Sequence, residues 1–279
     1  MDQPILLSHE MISSLVKPRE ADSHKGKYGH SLLVAGNTGR MGAAVLCAEA
    51  CLRTGTGLLT VDIPENERII LQTAVPEAML VFRESDQVGL DIFSAAGIGP
   101  ALGTTNDSLE LLHYYLKNFS KRLLLDADAL NLLSSHKELW PFIPSNTVIT
   151  PHPREFDRLF GESGSPGERM EKTIRLSKEY PWVIILKGHQ TLIAHNGNAC
   201  LNTTGNAGLA KGGSGDALSG MITALMAQGY EPFDAAKIGV YLHGLAADLA
   251  LNHQSMESML ARDVISEIGN AFKILAHKN

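Results

Sequence analysis

The feature that most constrains the fold of this chain is the repeated alternation of short apolar segments with helical patterns. Segments rich in leucine and β-branched residues fit strands at residues 31–35, 58–63, 92–96, 122–125, 147–150 and 183–186. Several are apolar at consecutive positions, which is typical of strands covered on both faces. Helical patterns lie between them at residues 42–54, 106–119, 128–134, 153–160 and 167–180. This alternation predicts an α/β fold with a doubly wound, mostly parallel central sheet.

The last third of the chain has a different pattern. Residues 191–195 and 199–203 flank His195-Asn196-Gly197-Asn198, whose Asn-Gly pair predicts a β-hairpin. Helices are expected after it at residues 216–228, 233–252 and 262–276. No repeat, low-complexity linker or change in composition marks a boundary. We therefore expect residues 1–279 to form a single domain.

Composition excludes several classes of protein. The net charge of −6 argues against a protein whose main task is to grip nucleic acid. Cys47, Cys51 and Cys200 are too few for a disulfide framework, and the first two are expected to be small buried residues. The N-terminus is too polar for a secretory signal, and no apolar run reaches the roughly 20 residues of a membrane span. These observations predict a cytoplasmic protein without nucleic-acid or membrane partners.

The most informative segment is the glycine-rich run Gly212-Gly213-Ser214-Gly215-Asp216. A helix is expected to follow it, because the apolar positions have helical spacing at Leu218, Met221, Ile222 and Leu225. Glycines let the backbone approach a ligand, and the first N–H groups of a helix have no internal partner. The run therefore predicts an anion hole for a phosphate, with Asp216 placed to accept a proton. The same residue types also permit an ordinary loop in which Asp216 is only an N-cap.

The arrangement Gly213-x-Gly215-Asp216 resembles the anion hole and catalytic aspartate of ribokinase-like kinases. Further motifs extend the resemblance along nearly the whole chain. They include Lys25-Gly26-x-Tyr28-Gly29-His30, Gly97-Ile98-Gly99-Pro100, Asp126-Ala127-Asp128-Ala129-Leu130-Asn131, Thr150-Pro151-His152-Pro153, Lys187-Gly188-His189-Gln190-Thr191 and Leu242-His243-Gly244. Their number and order are specifically similar to the NAD(P)H-hydrate dehydratase family. The resemblance implies a single-domain, three-layer ribokinase-like fold.

That resemblance also implies an activity. Members use ADP or ATP to convert (S)-NADHX and (S)-NADPHX, the hydrated nicotinamide nucleotides, back to NADH and NADPH. The ring hydroxyl is phosphorylated and phosphate is then eliminated, with Mg²⁺ carried by the nucleotide phosphates. The family likeness further implies a homotetramer. The chain has no room for a fused epimerase domain, so we expect the epimerase to be a separate protein.

The resemblance assigns roles to individual residues. Asp216 is the catalytic base, and the anion hole consists of Gly212, Gly213, Ser214 and Gly215. The adenine nucleotide is expected to contact Lys187, Gly188, His189, Gln190, Thr191 and Gly215. The hydrated nicotinamide nucleotide is expected to contact Ala43, Gly103, His152 and Asp216. Asp126 and Asn131 are supporting residues for Mg²⁺ or substrate.

Each of these residues also has an alternative interpretation without a role in catalysis or binding. Lys187 fits a solvated loop lysine, and Ala43 fits tight helix packing. Hydrogen bonds that merely shape a turn are the alternative role of Asp126 and Asn131. His243 is interpreted as mainly structural, as is Asp248.

The chain departs from the family pattern at two positions. Ala101 stands where the pattern usually has glycine within Gly-Pro-Gly-Leu-Gly, and this change is expected to stiffen or slightly reshape a substrate-facing turn. Arg154 stands where glycine usually follows His-Pro. It places a cation, compatible with a bound phosphate, beside a presumed substrate loop.

Two rival functions fit parts of the pattern. A vitamin-precursor kinase acting on hydroxymethylthiazole or hydroxymethylpyrimidine shares the anion hole and the aspartate. A non-catalytic nucleotide sensor would bind nucleotide without turnover, against which the intact Gly215-Asp216 pair argues. The spacing Gly36-x-x-Gly39-x-x-Gly42 is not the dinucleotide fingerprint, so a nicotinamide nucleotide is expected as substrate rather than as hydride cofactor.

Overall fold

The computed structural model describes residues 3–83, 85 and 89–276, and the strands within them form one ten-stranded sheet. The strands, in chain order, are β1 (Ile5–Leu6), β2 (His30–Val34), β3 (Leu58–Ile63), β4 (Met79–Phe82), β5 (Ala95–Ile98), β6 (Arg122–Leu125), β7 (Val148–Ile149), β8 (Val183–Leu186), β9 (Leu192–His195) and β10 (Asn198–Leu201).

The sheet order is β1-β10-β9-β8-β7-β6-β5-β2-β3-β4. From β8 to β4 every neighbouring pair is parallel. The exception is β9, which runs antiparallel to both of its neighbours, β8 and β10, and forms a hairpin with β10 that turns at Asn196 and Gly197, both with positive φ. Positive φ at two central residues is the geometry that Asn-Gly hairpins adopt. The predicted mostly parallel sheet and its hairpin are confirmed.

Helices cover both faces of the sheet. In chain order they are α1 (His9–Leu15), α2 (Met41–Arg53), α3 (Arg68–Ala74), α4 (Asn106–Asn118), α5 (Ala127–Ser135), α6 (Pro153–Phe160), α7 (Pro166–Glu179), α8 (Ser214–Ala227), α9 (Pro232–Ala250) and α10 (Ala261–Ala276). No helix in the described ranges combines the length and the hydropathy that crossing a bilayer requires.

Alternate strand residues divide the core into two layers. Leu124 and Ile185 pack with α8, α9 and α10, whereas their neighbours Leu125 and Ile184 pack with α4 to α7. Successive strand side chains point to opposite faces, so continuous apolar strands supply both layers at once. The three-layer α/β architecture predicted from the sequence is therefore confirmed.

Helices α2 and α8 pack against each other at very short range. A Cβ atom placed on Gly220 of α8 would lie 2.1 Å from the carbonyl oxygen of Cys47 in α2. Only glycine permits this approach. Cys47 and Cys51 are both buried and free, as predicted.

The sequence misplaced one strand and missed several short elements. The strand predicted at residues 92–96 lies at Ala95–Ile98, because Leu90–Ile92 forms a 3-10 turn that leaves Ile92 exposed. Pairing with β2 sets this register, since Ala95 lies opposite Ser31. The elements that the sequence did not predict are β1, β4, α1 and α3.

Candidate functional site

Predicted site residues follow adjacent strands of the sheet. Moving along β8, β7, β6, β5 and β2, the residues just past the strand ends include, in the same order, Lys187, His152, Asp126, Gly103 and Ala43. The carboxyl ends of parallel strands meet at one edge, where open α/β sheets bind ligands. The fold therefore brings residues that are up to 144 positions apart in the sequence to one edge of the sheet, called the rim below.

The glycine-rich run forms the start of α8. Gly213 is the N-cap with a φ of 95°, a left-handed conformation that side chains rarely adopt. A Cβ atom there would also lie 2.6 Å from Cδ1 of Leu46. No side chain caps this helix start. Both the backbone conformation and the close packing therefore require glycine at position 213.

The backbone amides at this helix start are unpaired. Within the described residues, the N–H groups of Gly212, Gly213, Gly215 and Asp216 donate to no protein acceptor. Unpaired N–H groups and the positive end of the helix dipole together attract anions. The start of α8 therefore has the free N–H groups that an anion hole requires, and anion binding there stays a prediction from the sequence.

A buried ion pair lies beside these amides. Nζ of Lys187 donates to Oδ1 of Asp126 at 2.8 Å, and the hydroxyl of Ser219 donates to Oδ2 at 2.7 Å. A Cβ atom on Gly215 would lie 3.5 Å from Nζ of Lys187, so the pair faces the anion hole. Lys187 is therefore a fixed cation at the rim, which argues against the solvated-lysine interpretation.

Mutual attraction outweighs burial in this pair. Burial opposes ionisation of Asp126, but Lys187 and the Ser219 hydroxyl hold its pKa below the ordinary value. Burial likewise opposes the charge on Lys187, yet the carboxylates of Asp126, Glu155 and Asp216 raise the pKa of that ammonium group. Both partners are consequently charged at neutral pH.

Asp216 differs from Asp126 in having no partner. No residue in the described part of the chain donates a hydrogen bond to its carboxylate. Burial raises the pKa of Asp216 to about 6, and repulsion from Asp126 and Asp128 adds to this while Lys187 opposes it. A carboxylate that is free, partly buried and titrating near neutral pH has the properties of a general base.

The turn after β5 is held from both sides. The N–H of Gly103 donates to Oδ2 of Asp128 at 2.8 Å, and Nδ2 of Asn131 donates to Oδ1 of the same carboxylate at 3.2 Å. Nδ2 of Asn37 donates to the carbonyl of Leu102 at 3.0 Å. Asn131 thus shapes this turn, in agreement with the structural alternative raised for it.

The departure at Ala101 has a simple geometric meaning. Ala101 has a φ of 51°, within the left-handed region. Glycine adopts this conformation without a steric penalty, which explains why the family pattern usually has glycine there. The chain keeps the left-handed turn despite the added methyl group.

His152 caps α6. Its Nδ1 accepts hydrogen bonds from the N–H groups of Arg154 and Glu155, and Oε2 of Glu155 accepts from the N–H of His152 at 2.8 Å. Burial lowers the pKa of His152, and the charges of Lys187 and Arg158 lower it further. The ring is therefore neutral, with Nδ1 as acceptor and a proton on Nε2.

The remaining predicted nucleotide contacts form the loop between β8 and β9. Gly188, His189 and Gln190 are exposed, and the hydroxyl of Thr191 donates to the carbonyl of Gly188 at 3.2 Å. This loop is continuous with Lys187 and opens to solvent beside the anion hole. The structure thus places these residues in one exposed loop that directly follows Lys187, whose Nζ lies close to Gly215.

Two residues on α9 support the glycine-rich run. Asp248 accepts hydrogen bonds from the N–H of Gly205 and from Nδ2 of Asn206, which fixes the segment before the run. His243 is buried, and burial lowers its pKa to about 4. Both observations agree with the mainly structural interpretation.

The sequence analysis gave no role to Ser219, Asp128 or Glu155, although each contacts a predicted site residue. Ser219 lies three residues after Asp216 on α8, close to one helical turn, and this spacing is the signal available for it. Asp128 lies within a quoted motif and Glu155 lies two residues after one, but the contacts of both residues depend on the fold.

Comparison with known proteins places the chain in a family. The family model described as NAD(P)H-hydrate dehydratase matches residues 31–270. The bifunctional NAD(P)H-hydrate repair enzyme Nnr of Escherichia coli is 40% identical over 266 residues, covering 94% of this chain and 51% of that protein. The chain thus spans about half the length of the bifunctional relatives it matches.

Two comparisons cover both partners almost fully. The ADP-dependent (S)-NAD(P)H-hydrate dehydratase of Bacillus subtilis is 34% identical over 276 residues, covering 95% of this chain and 97% of that protein. A crystal structure of ADP/ATP-dependent NAD(P)H-hydrate dehydratase from Bacillus subtilis, co-crystallised with ATP/Mg²⁺, has a TM-score of 0.89 at 32% identity. It covers 98% of this chain and 99% of that one.

Resemblance to vitamin-precursor kinases is more distant. A hydroxyethylthiazole kinase from Pyrococcus horikoshii has a TM-score of 0.63 at 15% identity, over 91% of this chain and 90% of that one. A likeness at this identity shows the shared fold alone. With the family model matched over most of its length, this chain belongs to the NAD(P)H-hydrate dehydratase family.

Proposed function

We propose that this protein uses ADP or ATP to dehydrate (S)-NADHX and (S)-NADPHX, restoring NADH and NADPH. The observation that carries the proposal is the unpartnered Asp216 carboxylate at the mouth of an anion hole with free amides. A base beside an anion site is what phosphoryl transfer to a hydroxyl requires.

Asp216 begins the reaction by accepting the proton of the ring hydroxyl, whose oxygen attacks the terminal phosphorus of the donor. The bond from that phosphorus to the bridging oxygen breaks, which leaves AMP from ADP or ADP from ATP. Amides of Gly212, Gly213 and Gly215 stabilise the charge on the transferring group. The ammonium group of Lys187, held by Asp126, adds a positive charge beside these amides.

Elimination completes the repair. The carbon–oxygen bond to the phosphate ester breaks with electron donation from the ring nitrogen, and loss of a proton from the neighbouring ring carbon restores the double bond. Phosphorylation replaces hydroxide, a poor leaving group, with phosphate, a good one. The small residues Ala43 and Gly103 leave room for the ring on the substrate side, with His152 as a neutral hydrogen-bonding partner.

The carboxylates at the rim leave a Mg²⁺ ion to be held mainly by the phosphates of the nucleotide with which it arrives. Both oxygens of Asp126 and of Asp128 accept hydrogen bonds from the protein, whereas Asp216 is free. In the described residues, no group of three His, Cys, Asp or Glu side chains is arranged around a metal position. Mg²⁺ bound mainly by phosphate oxygens would neutralise charge on the donor.

Three further properties follow from the family resemblance and belong to the same proposal. The enzyme is cytoplasmic, acts together with an epimerase and assembles as a homotetramer. Ile69 and Ile70 on α3, with Met79 on β4, give the outer edge of the sheet exposed apolar side chains that fit a contact between copies.

Recovery of NADH absorbance from purified NADH hydrate with Mg²⁺ tests the reaction. ADP, ATP and no nucleotide are compared, and phosphate release is followed in the same samples. We expect recovery with at least one nucleotide, none without it, and one phosphate released for each NADH restored. Omission of Mg²⁺ tests whether the ion is needed.

Failure of both donors, with protein that still binds nucleotide, would contradict the proposal. The vitamin-precursor kinase would then be tested by incubating hydroxymethylthiazole and hydroxymethylpyrimidine with ATP. A stable phosphorylated product would identify that activity instead.

A further inference from the structure

Two arginines lie on one side of α6, at the rim of the candidate site. Arg154 and Arg158 are four residues apart and exposed, so their side chains are neighbours on the helix surface. Side chains on a helix lean towards its N-terminus. Here that direction is the sheet edge where His152 and Lys187 lie, so we expect both side chains to extend towards the ligand side of α6.

Arg158 is connected to the substrate-side turn. It donates to Oδ1 of Asn131, whose Nδ2 donates to Asp128, and Asp128 accepts from the N–H of Gly103. This series of hydrogen bonds fixes Arg158 relative to the turn that is expected to face the hydrated ring.

Arg154 has no structural role that explains it. It forms no ion pair, and its side chain makes no hydrogen bond within the described residues. It lies in the first turn of α6, where the helix dipole disfavours a cation. The family pattern usually has glycine at this position. An arginine placed against the dipole and without a partner is instead suited to bind an anion.

Neighbouring carboxylates do not neutralise these arginines. Asp157 is paired with Arg169 through both oxygens, at 2.9 and 2.7 Å. Glu155 is buried and bonded to the His152 backbone. Two guanidinium groups side by side are complementary to a phosphate group, to which each can donate two hydrogen bonds.

We propose that Arg154 and Arg158 form a subsite for a phosphate group of the hydrated nicotinamide nucleotide. The inference rests on the proposed function and concerns the substrate side of the same site. Two phosphates of that substrate have this chemistry: the 2′-phosphate, which only NADPH hydrate carries, and the pyrophosphate, which both hydrates carry. The substrates themselves therefore distinguish the two sources.

The test compares steady-state constants of Arg154→Gly, Arg158→Gln and the wild type for NADPH hydrate, NADH hydrate and ADP. Arg175→Ala is the matched control, because Arg175 is an exposed arginine on α7 that forms an ion pair with Glu179. We expect the KM for hydrate to rise about tenfold in each site variant, the loss of one charged hydrogen bond, with kcat nearly unchanged. The control is expected to match the wild type.

The pattern of the loss identifies the phosphate. A rise confined to NADPH hydrate supports binding of the 2′-phosphate, and an equal rise for both hydrates supports binding of the pyrophosphate. Hydrate KM values unchanged in both variants overturn the subsite, as does a rise in the KM for ADP alone. Absence of dehydration in the wild type is a separate result, which contradicts the proposed function itself.

Discussion

Two helices begin at the same edge of the sheet, and their N-termini are built in opposite ways. The start of α6 has Pro153 in its first turn and a reciprocal pair of caps from His152 and Glu155. The start of α8 has a left-handed glycine, Gly213, and no side-chain cap. The first satisfies its own N–H groups, whereas the second leaves them free.

The difference shows how the fold separates stability from ligand binding. Capping contributes about 1 kcal/mol to a helix, so a bare N-terminus costs stability. The uncapped start of α8 lies next to Asp216 and the Lys187–Asp126 pair, where a bound anion would complete the hydrogen bonds. At α6 the caps exclude an anion from the helix end and leave binding to side chains.

The largest expected effect is the loss of the base at α8. Asp216→Asn keeps the shape of the side chain but cannot accept a proton. We expect turnover to fall by about a thousandfold, with nucleotide binding nearly intact. Single-turnover kinetics and calorimetric titration of ADP measure the two quantities. A variant that keeps more than about a tenth of the wild-type rate would show that Asp216 is not the base.

A substitution that displaces the uncapped N-terminus of α8 is expected to have the next largest effect. Gly213→Ala adds a methyl group in a left-handed conformation and 2.6 Å from Leu46. We expect about 2 kcal/mol lower unfolding free energy and roughly a hundredfold lower kcat, since amides of the anion hole are displaced.

The matched control for this change is Gly229→Ala, just beyond the other end of α8. Gly229 has a φ of 91° but no atom within 4 Å of the added methyl group. It therefore reports the backbone strain alone, and its kcat should match the wild type. Equal losses of kcat in both variants would show that backbone strain, and not displacement of the anion-hole amides, lowers the rate.

The pH dependence of kcat/KM separates Asp216 from ordinary carboxylates. Its pKa of about 6 means that the base is protonated, and inactive, below that pH. We expect kcat/KM to be constant above this value and to fall about tenfold for each pH unit below it. An acid limb positioned near pH 4, the ordinary range of an aspartate, would contradict the effect of burial on this group.

The smallest effect is expected at the capped helix. Glu155→Gln weakens the hydrogen bond to the His152 backbone and should lower the unfolding free energy by about 1 kcal/mol, with only a few-fold change in kcat. Denaturant unfolding measures this, with the exposed Glu162→Gln as control. A loss of turnover as large as that of Asp216→Asn would mean that the start of α6 is as important for catalysis as the start of α8.

Local patterns predicted the parts of the fold that local chemistry determines. Helix α6 has the bounds expected from the sequence, because Pro153 favours its start and Gly161 its end. The predicted start of β5 was wrong by three residues and its end by two, since the apolar pattern of residues 90–98 permits several registers and pairing with β2 selects one. Met79 is exposed on the edge strand β4, so this strand lacks the buried pattern that marks the central ones.

The candidate site shows the same limit. The glycine run predicted the start of α8, because its chemistry is contained in five adjacent residues. The contact between Ser219 and Asp126 joins residues 93 positions apart, so no spacing rule indicates it. The raised pKa of Asp216 depends on burial and on carboxylates from another element, which only the folded chain brings together.

The glycine contact between α2 and α8 has a mechanical consequence. Ala43 lies in the first turn of α2, and the anion hole lies at the start of α8, while Gly220 and Cys47 lock the two helices together further along. Because close-packed interiors are hardly compressible, we expect the two helix starts to keep a fixed separation. This packing would hold Ala43, which is expected to contact the substrate, at a constant distance from the candidate anion hole.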